Sequence, residues 1–121
     1  MSPESRNSVP LDIDITFWDE RIAVVTCTGK VDVYGSNPLR DAFAELNRRG
    51  FCRFLVDVSD VTYMDSTGFG TLLGMLKRAI AAGGSLDLVC NREDILQILK
   101  KSGLIKIFRV FGSKEGARRH L

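Results

Sequence analysis

The residues best placed to do chemistry lie in one stretch, residues 57–70: Asp57-Val58-Ser59-Asp60-Val61-Thr62-Tyr63-Met64-Asp65-Ser66-Thr67-Gly68-Phe69-Gly70. An apolar run ends there, small polar residues follow, and a helix opens with Ser66, Thr67 and Gly68 in its first turn. Oxygens at such a place sit among backbone N–H groups that have no intrahelical partner, at the positive end of the helix macrodipole. They can cap the helix or share the spot with a phosphate. A lone serine before an apolar-striped helix is more often a cap than a site. Three details weigh against a cap alone. Asp65, Ser66 and Thr67 offer more capping oxygens than one helix start needs. Gly68 and Gly70 each cost about 1 kcal/mol inside a helix relative to Ala, a cost more expected where something approaches closely. The turn also follows a central strand, where open α/β sheets place their sites.

Other chemistries fit these residues less well. A nucleophilic Ser66 needs a base beside it, but the single histidine, His120, is next to the C-terminus and no lysine lies in the motif. Gly68-x-Gly70-x-x-x-Gly74 with Asp87 further on resembles a degenerate dinucleotide fingerprint. The first glycine of that fingerprint belongs directly after its strand, and Asp87 sits inside the next strand, so the match is weak. Asp57, Asp60 and Asp65 could hold Mg²⁺, yet no fourth oxygen ligand is evident and turn formation accounts for Asp57 and Asp60. No catalytic residue, cofactor or metal site is expected. A regulatory hydroxyl remains: phosphorylation of Ser66 would add about −1.5 to −2 charges where the dipole tolerates them, and a partner packed over that turn would meet a dianion.

The elements that must position this stretch follow from hydrophobic periodicity. Residues 11–17 alternate apolar and polar as a half-buried strand, Asp19-Glu20 supply a turn, and residues 22–28 form a more buried strand stopped by Gly29. A helix follows, capped by Ser36 or Asn37 with Pro38 near its first position. Its stripe is Leu39, Ala42, Phe43 and Leu46, and Gly50 is its C-cap. Residues 51–58 read as a central strand. The motif helix spans about 66–82, with Phe69, Leu72, Leu73, Leu76 and Ile80 as its stripe; Gly70 and Gly74, four apart, favour close approach of another backbone. Residues 85–90 form a fourth strand, Asn91 caps a helix that Gly103 ends, residues 105–111 form the last strand, and Ser113-Lys114-Glu115 begin a short terminal helix. The elements run ββαβαβα, with that last strand and a short C-terminal helix after them. This is an α/β class with a mixed, mostly parallel sheet packed against helices.

At 121 residues, 45% hydrophobic and 26% charged, the composition suits one soluble globular domain. Residues 1–10 read as a flexible tail and 11–121 as the domain. The net charge of +2 is spread along the chain, so no nucleic-acid partner is expected. The apolar runs are too short to span a bilayer, and no membrane partner is expected. Cys27, Cys52 and Cys90 form neither a CxxC pair nor a Cys/His cluster, as expected of buried thiols in a reducing cytoplasm.

The run Tyr63-Met64-Asp65-Ser66-Thr67-Gly68-Phe69-Gly70 resembles the signature of the anti-sigma factor antagonists of the STAS domain family, whose usual form is Met/Leu-Asp-Ser-Ser/Thr-Gly-Leu-Gly. Thr28-Gly29-Lys30-Val31-Asp32 resembles the family's Gly-Glu-Leu/Ile-Asp step, with Lys30 where an acid is commoner. Residues 86–90 and 101–108 look like its late strand, third helix and last strand. The resemblance implies a STAS-like fold and a non-enzymatic role. The unphosphorylated protein would bind an anti-sigma factor, itself a serine kinase, and free a sigma factor; a phosphatase would reverse the phosphorylation. It places the phosphoacceptor at Ser66 and partner contacts at Asp32, Tyr34, Asp65, Thr67 and Gly68, with Gly35 in the same loop as Tyr34. A STAS accessory or scaffold module without the switch is the alternative. The oligomeric state, the particular sigma factor and the particular kinase are not legible.

Overall fold

In a computed structural model that describes residues 10–121, the sheet begins with a hairpin. All but Pro10 of the expected tail lies outside the described residues. Strand β1 (Asp12–Trp18) turns through Asp19 and Glu20, both with positive φ, into β2 (Ile22–Val31). The Arg21 N–H donates to Trp18 O at 3.1 Å. Left-handed residues at both turn positions match the twist of the flanking strands. Then follow α1 (Val33–Arg48), β3 (Arg53–Met64), α2 (Ser66–Ala81), β4 (Ser85–Val89), α3 (Glu93–Lys101), a 3₁₀ turn (Leu104–Lys106), β5 (Val110–Phe111) and α4 (Lys114–Arg118).

The five strands lie in the order β1-β2-β3-β4-β5. β1 pairs antiparallel with β2, and every other pair is parallel. Three crossovers step the same way across the sheet, and crossovers of the usual right hand then leave their helices on one face. The burial pattern agrees. Leu39, Phe43 and Leu46 of α1, Leu72, Met75, Leu76 and Ala79 of α2, and Ile95 and Leu99 of α3 share one core with the inward strand residues. The opposite face holds a smaller cluster of Ile22, Val24, Leu55 and Val89, covered by Ala117 of α4. Lys114 fastens α4 there: its ammonium donates to Thr26 Oγ1 at 2.9 Å and lies 3.8 Å from Asp57 Oδ2. On that face Arg109 also pairs with Asp87 at 2.9 Å. The buried Asp87, the acid that follows the degenerate fingerprint, thus makes a structural ion pair, which in turn holds the Arg109 pKa above its ordinary value.

Several sequence expectations are corrected. β2 does not stop at Gly29 but continues to Val31, and β3 continues past Val58 to Met64. Their register slips between Thr26 and Thr28 and again between Gly29 and Lys30. From Val58 onward the core-facing residues of β3 are therefore Val61 and Met64, at spacings of three, and the period of two that holds for Phe54, Val56 and Val58 could not reveal them. Asp57 and Asp60 consequently lie along β3 and Asp65 just past its end, rather than gathered in a loop, and no group suited to a metal is found among the described residues.

Along α2 the buried stripe is Leu72, Met75, Leu76 and Ala79, while Ile80 is 60% exposed. Arg92, not Asn91, occupies the cap position of α3, and the Asn91 N–H donates to Ser59 Oγ instead. Of the expected strand at 105–111 only Val110–Phe111 is strand, preceded by the 3₁₀ turn at Leu104–Lys106 and irregular chain between the two. With Leu104, Ile105 and Phe108 facing the core, that apolar spacing serves a turn as well as a strand.

Cys27 and Cys90 are buried, whereas Cys52 is only half-buried. Burial, helped by the negative charge of Asp57, pushes the Cys27 thiol up to about 12. The folded protein keeps a proton that the unfolded chain releases near pH 9. This contribution is complete below about pH 9 and is lost as the pH rises through about 12. Urea midpoints are expected to fall across that window, and Cys27→Ala should flatten the fall; an unchanged slope would place the alkaline loss elsewhere.

Candidate functional site

β2 and β3 end side by side, with Val31 opposite Met64 in the parallel register. The residue after each strand is an aspartate, and each aspartate is a helix N-cap. Asp32 Oδ1 accepts from the N–H groups of Tyr34 at 3.0 Å and Gly35 at 2.9 Å. Asp65 Oδ1 accepts from Gly68 N–H at 3.0 Å. Asp32-Val33-Tyr34-Gly35 and Asp65-Ser66-Thr67-Gly68 are thus two copies of one device, Asp-x-x-Gly, set at the ends of neighbouring strands.

The glycine of each copy is dictated by packing. A Cβ on Gly35 would lie 2.4 Å from Lys30 O, and one on Gly68 would lie 2.2 Å from Val31 O. Both helices start hard against the end of β2, and only a residue without a side chain fits under the turn. Anchored this way, the two residues between Asp and Gly are turned outward. Tyr34 is 82% and Val33 53% exposed, and Ser66 and Thr67 are exposed as well. Tyr63, 49% exposed, lies one residue before the end of β3 with Lys30 as its cross-strand partner. A hollow of about 410 Å³ flanks this end of the molecule, lined by Leu11, Lys30, Asp32, Tyr34 and Pro38 among others.

This arrangement revises the expected roles. The α1 cap is Asp32, not Ser36 or Asn37, and the helix starts before Pro38, which lies inside it. Ser66 is not the cap of α2; Asp65 is, and Ser66 is the first helical residue. Gly68 is buried, so it seats the helix rather than presenting itself at the surface. Gly70 and Gly74 do not admit another backbone from among the described residues, since a Cβ at either would meet nothing there within 4 Å. Asp32, Tyr34, Asp65, Ser66 and Thr67 do come together at one end. Val33 and Tyr63 join them and were missed. The repeated Asp-x-x-Gly spacing was the available signal for Val33.

The chemistry on offer is recognition. Asp65 N–H reaches Val31 O at 3.5 Å and Gly68 N–H is taken by the cap, leaving the N–H groups of Ser66 and Thr67 outside the intrahelical set. An anion on Ser66 would meet those donors and the helix dipole. Among the described residues no histidine, cysteine or lysine side chain hydrogen-bonds to Ser66.

Residues 18–117 match the STAS domain. The chain belongs to the STAS domain family. It is 34% identical over 106 residues to the anti-sigma-B factor antagonist of Bacillus subtilis, covering 88% of this chain and 95% of that one. An anti-sigma factor antagonist from Mycobacterium paratuberculosis shares the fold, with TM-score 0.81, 18% identity and coverage of 91% and 92%. So does the Bacillus cell fate determinant SpoIIAA in its phosphorylated form, with TM-score 0.71, 17% identity and coverage of 91% and 100%. As in such relatives, the fold here is a mixed sheet with helices, and among the described residues no helix is long and apolar enough to cross a membrane.

The two caps of this STAS domain give a separable test. Asp32→Ala and Asp65→Ala are each expected to cost about 1 kcal/mol of stability, read as a lower urea midpoint at an unchanged m-value. Asn at either position should restore much of it, because an amide oxygen caps as a carboxylate does. A midpoint unmoved by either alanine would show that the caps do not hold the site.

Proposed function

We infer that this protein is an anti-sigma factor antagonist whose unphosphorylated form binds an anti-sigma factor, itself a serine kinase, and so releases a sigma factor. The observation that carries the proposal is the exposed Ser66 at the first turn of α2, held beside Tyr34, Val33 and Tyr63 by the paired Asp-x-x-Gly turns. A hydroxyl so placed can be entered by a kinase without moving the fold. The kinase transfers the γ-phosphoryl group of ATP to Ser66 Oγ, the serine proton leaves to a base on the kinase, and ADP departs. A phosphatase returns the serine by hydrolysis. Asp32, Tyr34, Asp65 and Thr67 form the face read by the partner; Gly68 holds that face in place. The protein contributes no catalytic residue of its own, and its place of action is the cytoplasm.

The test is incubation with the anti-sigma kinase and ATP, followed by intact mass and peptide mapping, alongside binding by Ser66→Ala and Ser66→Asp. The expected outcome is one phosphoryl group on Ser66, full binding by the alanine variant and weakened binding by the aspartate variant. If Ser66 takes no phosphate and both variants bind as the wild type does, the protein is instead a STAS scaffold module without a switch.

A further inference from the structure

A groove of about 300 Å³ runs between α1 and α2, away from the two capped turns but opening beside them through Thr67. Its walls carry Arg40 from α1 and Arg78 from α2, and Phe43 and Met75 give it apolar flanks. Both arginines are exposed, and among the described residues neither pairs with a carboxylate. Arg40 donates only to the Asn37 side chain, at 2.8 Å.

Gly70 and Gly74 also line this groove. Their φ values are not positive, and among the described residues nothing would obstruct a Cβ there. Glycine weakens a helix interior, so neither backbone freedom nor internal packing accounts for two of them on one face. Together they leave bare helix backbone between two unneutralised guanidinium groups. A concave, partly apolar channel flanked by cations fits a segment whose carboxylates reach the arginines while its small or apolar side chains lie against the helix.

We propose that this groove docks an acidic segment of the anti-sigma factor, as a second contact beside the Ser66 face. The proposal rests on the function inferred above. It also supplies a second way for the switch to act. Ser66 adjoins Thr67 at the mouth of the groove, so a phosphate there sets a dianion against the incoming carboxylates.

The experiment measures binding of the anti-sigma factor to the full-length protein and three variants, with melting temperatures alongside. Arg40→Glu/Arg78→Glu is expected to lose at least about tenfold in affinity, with the loss shrinking in high salt. Arg40→Lys/Arg78→Lys should keep most of the binding. Gly74→Leu, which fills the groove, should melt no lower than wild type yet bind about tenfold more weakly. Wild-type binding with all variants equal to it overturns the groove and leaves the Ser66 switch standing. No binding by the wild type overturns both. Loss of affinity for inorganic phosphate or citrate without loss of partner binding makes the groove a small-anion pocket and overturns the docking. Wild-type dimers that become monomers in the charge-reversed variant make it a contact between copies and do the same.

Discussion

Phosphorylated at Ser66, the protein is expected to bind its anti-sigma factor at least about 100-fold more weakly than the unmodified form, with its melting temperature almost unchanged. The fold is indifferent because the phosphate lands at the first helical position of α2. There the dipole and free N–H groups favour an anion by about 0.3–1 kcal/mol. The partner should not be indifferent. The surface proposed for it is rich in exposed aromatic and apolar area from Tyr34, Val33 and Tyr63 and already carries the carboxylates of Asp32 and Asp65. Adding about two negative charges leaves a hydrated dianion inside the contact. Unfavourable charge placement of that kind costs several kcal/mol, and about 3 kcal/mol corresponds to roughly 100-fold. Ser66→Asp, with a single charge on a shorter arm, should reproduce only part of the loss. Calorimetric titration of the purified phosphoform against the unmodified protein checks this; equal affinities would refute the switch.

Gly68→Ala should be the most damaging small substitution near the site, at about 3 kcal/mol of lost stability. The added methyl would meet Val31 O at 2.2 Å, Met64 Cγ at 2.9 Å and Val31 Cγ1 at 3.0 Å. A carbonyl oxygen in the paired end of β2 cannot give way as the tip of a side chain can, so the first turn of α2 must lift and take Ser66 with it. Gly70→Ala, in the same helix with open space before it, should instead gain up to about 1 kcal/mol from helix propensity alone. Opposite signs for two identical changes one half-turn apart, read from urea midpoints, would establish that the turn is set by packing against β2. A Gly68→Ala protein as stable as wild type would disprove it.

Much of the architecture was legible because local chemistry and the fold agree. The α1 stripe Leu39, Phe43 and Leu46 is the buried face, and the ends of α1 and α2 fall where Gly50 and Gly83 turn left-handed. The Asp19-Glu20 turn and the short C-terminal helix are present. Legibility failed where the backbone departs from its ideal period. Two slips in the β2–β3 register hid the last turnings of both strands, so Asp60 looked like part of a loop. An aspartate directly after a strand, Asp32, was overlooked as a cap because Ser36, Asn37 and Pro38 supply a more familiar start pattern four residues later.

By itself, the sequence determined the α/β class, the order of most elements, the exposed serine at the head of α2 and the family, since each depends on residues close in the chain. The tertiary structure alone decided that Ser66 is the first residue of α2 and not its cap. Only the pairing of Val31 with Met64 brings Asp32 and Asp65 to the same level. That makes two distant Asp-x-x-Gly segments into one surface and assigns capping to the aspartates, leaving the serine free. Register is a property of two strands at once, and no single stretch of chain can carry it.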